Sequence, residues 1–265
     1  MKRAEITEPI NDFIKEQVQN GKEILNTVFN WNKTRKADKY GVESRSSLLN
    51  NRNKWHARIS YHNDVTYEQF KNGLFSNHTE QESKYIKGIK DFDLVEYLNP
   101  NAQVYRILYS MPLGISDRDF TPVILTHEEP SSKKFYIISI AIDHPNSPPS
   151  ANVVRGLYTS IERVQEVDDG KVEWIMATTS SAKGLIPNVL ADTLMPSKIA
   201  EVSILKNFYK KEQNQLMYVI NRMYHNSWII LRAISNYFSC LILLSLLFNL
   251  YIVDIFCFVF YFNFF

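Results

Sequence analysis

IDHPNSPPSANVVRGL, residues 142–157, carries three prolines between two apolar runs and resumes at once on Val153-Val154-Arg155-Gly156. Proline fixes φ and has no amide proton, so Pro145, Pro148 and Pro149 are excluded from the interior of a central strand. The stretch therefore reads as a rigid crossing between strands. KFYIISIAID (134–143) leads into it and NVVRGLYTSIERVQEV (152–167) leads out.

Working outward, AQVYRILYSM (102–111), RDFTPVILTHE (118–128) and KVEWIMATTSS (171–181) have the same strand character. The connectors GIS, EPSS and DDG are short and turn-like, as hairpins require. WHARISY (55–61) puts Trp55, Ala57, Ile59 and Tyr61 on one side, the pattern of a half-buried strand. These six segments predict a meandering antiparallel sheet.

Helices are expected at both ends. Over residues 5–31, Ile10, Phe13, Ile14, Val18, Ile24, Leu25, Val28 and Phe29 recur at three- and four-residue spacing. A short helix is predicted in TYEQFKNGL, with Thr66 as N-cap, Gln69 three residues on and Gly73 near its end. HTEQESKYIKGI (78–89) reads as helical, and DFDLVEYL (91–98) fits either helix or strand. Residues 183–210 predict a helix broken near Pro196, with Ile199, Val202, Leu205, Phe208 and Tyr209 as its apolar stripe. Packed into the sheet, such a helix leaves a cavity between the two, and cavities of this kind are ligand sites. The domain reading is an N-terminal helix (1–31), a polar and basic linker (32–54), a core domain (55–211), an amphipathic connector (212–232) and a hydrophobic tail (233–265).

Composition excludes several classes. The formal net charge is only +2, so there is no nucleic-acid-scale electrostatic signal. Cys240 and Cys257 are the two cysteines, which rules out a disulfide framework in residues 1–239 and suits a cytoplasmic setting. The opening MKRAEITEPIN is too charged for a secretory leader. No His-Glu-x-x-His or paired-Cys spacing points to a metal, and no phosphate loop or Gly-x-Ser-x-Gly elbow is present. His127-Glu128-Glu129 reads as a charged strand end beside a turn rather than a catalytic group. Neither a metal, a cofactor nor an enzymatic activity is expected. Lys33, Arg35, Lys36 and Lys39 read as a solvated loop, with docking to anionic lipid heads as the functional alternative.

The tail is a separate matter. AISNYFSCLILLSLLFNLYIV (233–253) has no charged residue, and as a helix it would span roughly 31 Å, a bilayer's apolar thickness. Lys210, Lys211, Arg222 and Arg232 precede it and would keep the main domain cytoplasmic. Asp254 and a further apolar run, IFCFVFYFNFF, follow where an anchor meets polar residues. Non-coding sequence read through past a true end accounts for this text equally well.

Three blocks in order resemble the START family, the StAR-related lipid-transfer domains, over most of residues 55–210. They are ISDRDF (115–120), AIDHPNSPPSANVVRG (141–156) and VEWIMATTSSAKGLIPNVLAD (172–192). The N-terminal part, WHARISYHNDVTYEQFKNGLFSNHTEQESKYI, looks most like a divergent START-like subgroup. The resemblance implies an α+β helix-grip fold, a curved antiparallel sheet closed by the C-terminal helix around an apolar tunnel holding one lipid. The implied partners are a lipid (phospholipid, sterol or other acyl lipid) and a membrane surface. Two departures matter: Thr179, Ser180 and Ser181 stand where the family often has an Asp before its glycines. Ile124 stands where sterol-carrying members have a cavity Arg, which speaks against a sterol held by that charge.

Strand alternation then selects candidate tunnel residues. Placing Glu173 outward turns Trp174, Met176 and Thr178 inward. Tyr158 shares a face with Val154, Gly156 and Ser160, and Tyr105 and Tyr109 share one with Ile107. Arg118 and Arg155 are charged candidates for a lipid head, although a structural pairing of Arg118 and Asp119 fits the residues better. Ile186 and Leu190 complete the lipid-binding set from the C-terminal segment. Two function classes follow: a non-enzymatic lipid carrier or sensor, and a membrane-tethered interaction or scaffold module that keeps the fold without the traffic.

Overall fold

The computed structural model describes residues 1–35, 42–49, 53–86, 88–111, 115–181 and 183. All of them fall in the first of two compact units, Met1–Phe208; the second, Tyr209–Phe265, lies outside the described residues. The predicted 183–210 helix and the 233–265 tail lie outside them too, apart from Lys183. Among the described residues no helix is long and apolar enough to cross a membrane.

The described residues build one sheet of eleven strands. They are β1 (Asn32–Arg35), β2 (Glu43–Leu49), β3 (Asn53–His62), β4 (Ile89–Asn99), β5 (Ala102–Tyr109), β6 (Arg118–Phe120), β7 (Pro122–Glu129), β8 (Lys134–Ala141), β9 (Val154–Arg155), β10 (Leu157–Glu166) and β11 (Val172–Ser181). The spatial order is β1-β2-β3-β11-β10-β8-β7-β5-β6-β9, with β4 also on β5. The last strand thus pairs with one of the first. All pairings are antiparallel except the two-residue contact of β6 with β9. Pro122 opens β7, where its missing donor does least harm.

Two predicted strands are each split. RDFTPVILTHE breaks at Thr121, whose Oγ1 lies 2.9 Å from Ser147 Oγ in the crossing. NVVRGLYTSIERVQEV breaks at Gly156, whose amide donates to Asp119 O at 2.9 Å. The ambiguous 91–98 segment is strand.

The 32–54 stretch, read as a linker, contains β1 and β2 and the start of β3. Its strand character is hidden because the buried positions of β2 are Ser44 and Ser46 rather than apolar side chains. Backbone pairing with β3 holds it there, a tertiary cause that side-chain alternation does not report. Within it Lys33 is paired with Glu43 at 3.2 Å. Lys36 and Lys39 lie outside the described residues.

Helix α1 (Ile10–Thr27) covers one face of the sheet with Phe13, Ile14, Val18, Gly21 and Leu25 buried. Beneath it runs a row paired across six strands, Ala57, Ala177, Ile161, Ile138, Leu125 and Ala102. Small residues in that row and at Gly21 let the helix come close. A β-carbon at Gly21 would lie 2.9 Å from Ile161 Cγ2. Phe29, expected on the apolar stripe, is instead 45% exposed and lies against the Arg45 guanidinium.

The opposite face is covered by a second helical segment. α2 (Tyr67–Phe70) starts at a capping box in which Gln69 N donates to Thr66 Oγ1 and Gln69 Oε1 accepts from Thr66 N. It passes through a π-helical turn, Lys71–Phe75, into α3 (His78–Tyr85). Strand β3 is buried on both sides, and the half-buried reading of WHARISY is corrected: His56, Arg58, Ser60 and His62 are all at most 4% exposed.

Candidate functional site

The α3 face of the sheet is built by strand register. One row runs Arg58, Met176, Glu162, Ile137, Thr126 across β3, β11, β10, β8 and β7. The next runs His56, Thr178, Ser160, Ser139, Ile124, Gln103. The α1 face is apolar along its central row, whereas this one carries a buried polar band. Buried polar groups cost free energy unless they are hydrogen-bonded, so such a band calls for partners.

Arg58 is at its centre. Its guanidinium lies 3.6 Å from the Trp174 ring centroid, a cation–π stack, and Nη2 stands 3.7 Å from Glu162 Oε2. Trp174 Nε1 donates to that same oxygen at 2.8 Å. Burial lowers the Arg58 pKa to about 10, with Glu162 opposing the shift, so the group stays charged at neutral pH. Among the described residues the Arg58 Nε and Nη2 atoms have no hydrogen-bond partner.

Helix α3 faces this cluster. His78 Nδ1 lies 2.7 Å from Leu74 O, which makes it the donor nitrogen, and Nε2 lies 3.4 Å from Glu82 Oε2. Burial holds the Glu82 carboxyl above the usual carboxylate range, partly offset by His78. His78, Glu82 and Glu162 each bring one potential ligand atom within 4.8 Å of the others. A divalent cation fits poorly there, because Glu162 is already engaged by Trp174 and Arg58, and Arg58 supplies the positive charge that the carboxylates need.

Aromatic packing divides the face. Toward α2, Phe70 meets Trp174 edge-on at 5.4 Å and Phe75 meets Phe135 at 5.4 Å, filling that end. At the other end Phe120 stands between Tyr109 (5.5 Å) and Tyr158 (5.4 Å). Phe120 can occupy this place only because residue 156 is glycine: a β-carbon there would lie 2.3 Å from Phe120 Cε1. Burial first, and the Glu82 charge second, push the Tyr109 and Tyr158 hydroxyls well above the usual phenol range. A cavity of about 250 Å³ lies beside the polar band, lined by Phe75, His78, Gln103, Tyr105, Ile124 and Thr126 among others.

Tyr105, Tyr109, Arg118, Tyr158, Trp174, Met176 and Thr178 share the α3 face by register. Within that set Trp174 reaches the Arg58 cluster, and Tyr105 lines the cavity with its hydroxyl 2.8 Å from Gln103 Oε1. Thr178 Oγ1 is spent on Thr159 O. Arg118 donates to the Ser116 and Lys183 carbonyls. Arg155 belongs to the other face, where Asp119, Ser147 O and Pro148 O take its donors. Its selection as a lipid contact is therefore corrected to a structural tie. Glu173, turned away from the α3 face as expected, is nonetheless buried and held by Arg163 and Tyr61. Ile186 and Leu190 lie outside the described residues. Arg58, Glu162, His78 and Glu82 were missed. The signal was a charged residue in an alternating strand, which reads as solvent-facing until something covers it.

In fold the chain is similar to three solved structures. Human StAR-related lipid transfer protein 5 matches with a TM-score of 0.62 at 15% identity, over 75% of this chain and 99% of that one. The human StarD13 (DLC2) lipid transfer and protein localization domain gives 0.56 at 14%, over 73% and 95%. A STAR-related lipid transfer protein fragment from Xanthomonas axonopodis gives 0.56 at 14%, over 68% and 98%. These likenesses establish a START-like fold, with its large curved antiparallel sheet and flanking helices. No curated protein matches the chain in sequence. A family model matches residues 55–204, more than half of the chain, and by that match the protein belongs to the family described as "Protein of unknown function (DUF3074)".

Proposed function

We propose that the protein binds one lipid against the α3 face of its sheet and carries or senses it without converting it chemically. The observation that carries this reading is a sheet face lined by Tyr105, Tyr109, Tyr158, Trp174 and Met176, with a cavity beside it, on a fold shared with lipid transfer proteins. Aromatic walls with polar tips suit an amphipathic guest. Each acyl CH₂ removed from water contributes about 0.8 kcal/mol, so shape and apolar area supply the affinity. The C-terminal segment, with Ile186 and Leu190, is the proposed closing element.

A second reading has its own support. Phe70, Phe75, Phe135 and Trp174 already fill the α2 end of the face, and a face filled by its own side chains suits an interaction or scaffold module. Native mass spectrometry of the full chain, purified gently from eukaryotic cells, separates the two. A single lipid class near one-to-one stoichiometry supports the carrier. A mass that stays free of lipid after mixing with liposomes supports the scaffold.

A further inference from the structure

The Arg58 cluster holds more information than apolar binding needs. Arg58 is 4% exposed, yet among the described residues Nε and Nη2 have no hydrogen-bond partner. Glu162, at 3.7 Å, offsets the charge without forming those bonds. Trp174 stacks on the guanidinium plane and leaves its edge, where the N–H groups point, to other partners. A buried donor left unmade costs its full desolvation, so the arrangement is complete only with an acceptor atom from outside the described residues.

The charges around it restrict that acceptor. Glu162 balances Arg58, and Glu82 brings a second carboxyl to within 4.8 Å of the Glu162 ligand atom. An incoming phosphate would set an anion against these groups at low dielectric, where like charges repel most. A carbonyl or hydroxyl oxygen satisfies the two donors and leaves the charge balance unchanged. Building on the lipid-binding reading above, we propose that Arg58 is the head-group contact for a lipid with an uncharged, oxygen-bearing head. By the same geometry the site discriminates against phosphate-headed anionic lipids.

Dioctanoylglycerol and dioctanoyl phosphatidic acid test this directly, since they share tails and differ only in hydroxyl against phosphate. Titration of the full chain with each is expected to show the uncharged lipid binding about tenfold more tightly. The variant pair Arg58→Met with Glu162→Gln removes both charges together and keeps an acceptor for Trp174 Nε1. It is expected to bring the two affinities within about twofold of each other. Arg58→Lys, which retains the charge but not the fork, is expected to weaken dioctanoylglycerol binding and serves if the double variant does not fold. Equal or tighter binding of phosphatidic acid by the unmodified chain overturns the proposal, as does an unchanged preference in a folded Arg58 variant. Binding of neither lipid also overturns the proposal for Arg58, whereas the carrier reading stands or falls separately on whether the gently purified chain carries a lipid in the native mass spectrum.

Discussion

Arg155 closes a two-pronged bond on Asp119, Nε to Oδ1 at 3.0 Å and Nη2 to Oδ2 at 2.9 Å. The same guanidinium donates to Ser147 O at 3.0 Å, so one side chain ties the Arg-Asp-Phe strand to the proline crossing. Arg106 Nε adds a third bond to Asp119, a residue with no exposed surface. The stiffness of IDHPNSPPSANVVRGL is thus anchored as well as built in by proline. Replacing Asp119 by Asn leaves two guanidinium groups short of their counter-charge. The expected loss is about 3–5 kcal/mol, read from urea unfolding.

Gly156 is expected to reject any larger residue. Gly156→Ala places a methyl against Phe120 and should cost about 1–3 kcal/mol. Phe120→Leu removes the obstructing ring edge, so the double variant should cost less than the sum of the two single changes. Additive urea midpoints would mean that the close approach has no energetic weight.

Acid should destabilise the protein through carboxyls held low in the folded state. A hydrogen bond from Arg3, and a second from His144, hold Glu96 at about 2 despite burial. Burial raises Asp119, but Arg155 and Arg106 outweigh it and hold that carboxyl low as well. A folded pKa below the unfolded one gives stability that is present above the unfolded value and is lost as pH falls. The loss should therefore run from about pH 4.5 down to about pH 2. Arg3→Ala should flatten that slope by up to about 1 kcal/mol, the pair being partly exposed. Thermal unfolding at stepped pH measures it.

Glu82 has the opposite sign. Its folded pKa is raised, chiefly by burial, so the charged form is disfavoured on folding. Stability from this group is present below its unfolded value and is lost as pH rises through the folded one. Glu82→Gln should therefore raise Tm by about 2–4 °C at pH 8 and leave it nearly unchanged at pH 4. A lower Tm at pH 8 would show that the His78 contact outweighs desolvation.

Local rules in the chain determined a good deal. Proline's missing donor made residues 142–157 a crossing, Thr66 and Gln69 marked a helix start, and alternation placed Tyr158, Trp174, Met176 and Thr178 on one face. Each rests on a property of a few neighbouring residues: φ, a cap or a period of two. Tertiary structure alone decided the rest. Arg58 is buried where Trp174 stacks on it and Glu162 faces it, β2 is a strand because β3 pairs with it, and Arg155 turned from candidate ligand contact to tie because Asp119 sits across a parallel pair 36 residues away. Burial of a strand's second face is settled by what packs on it, and no local period in the chain records that.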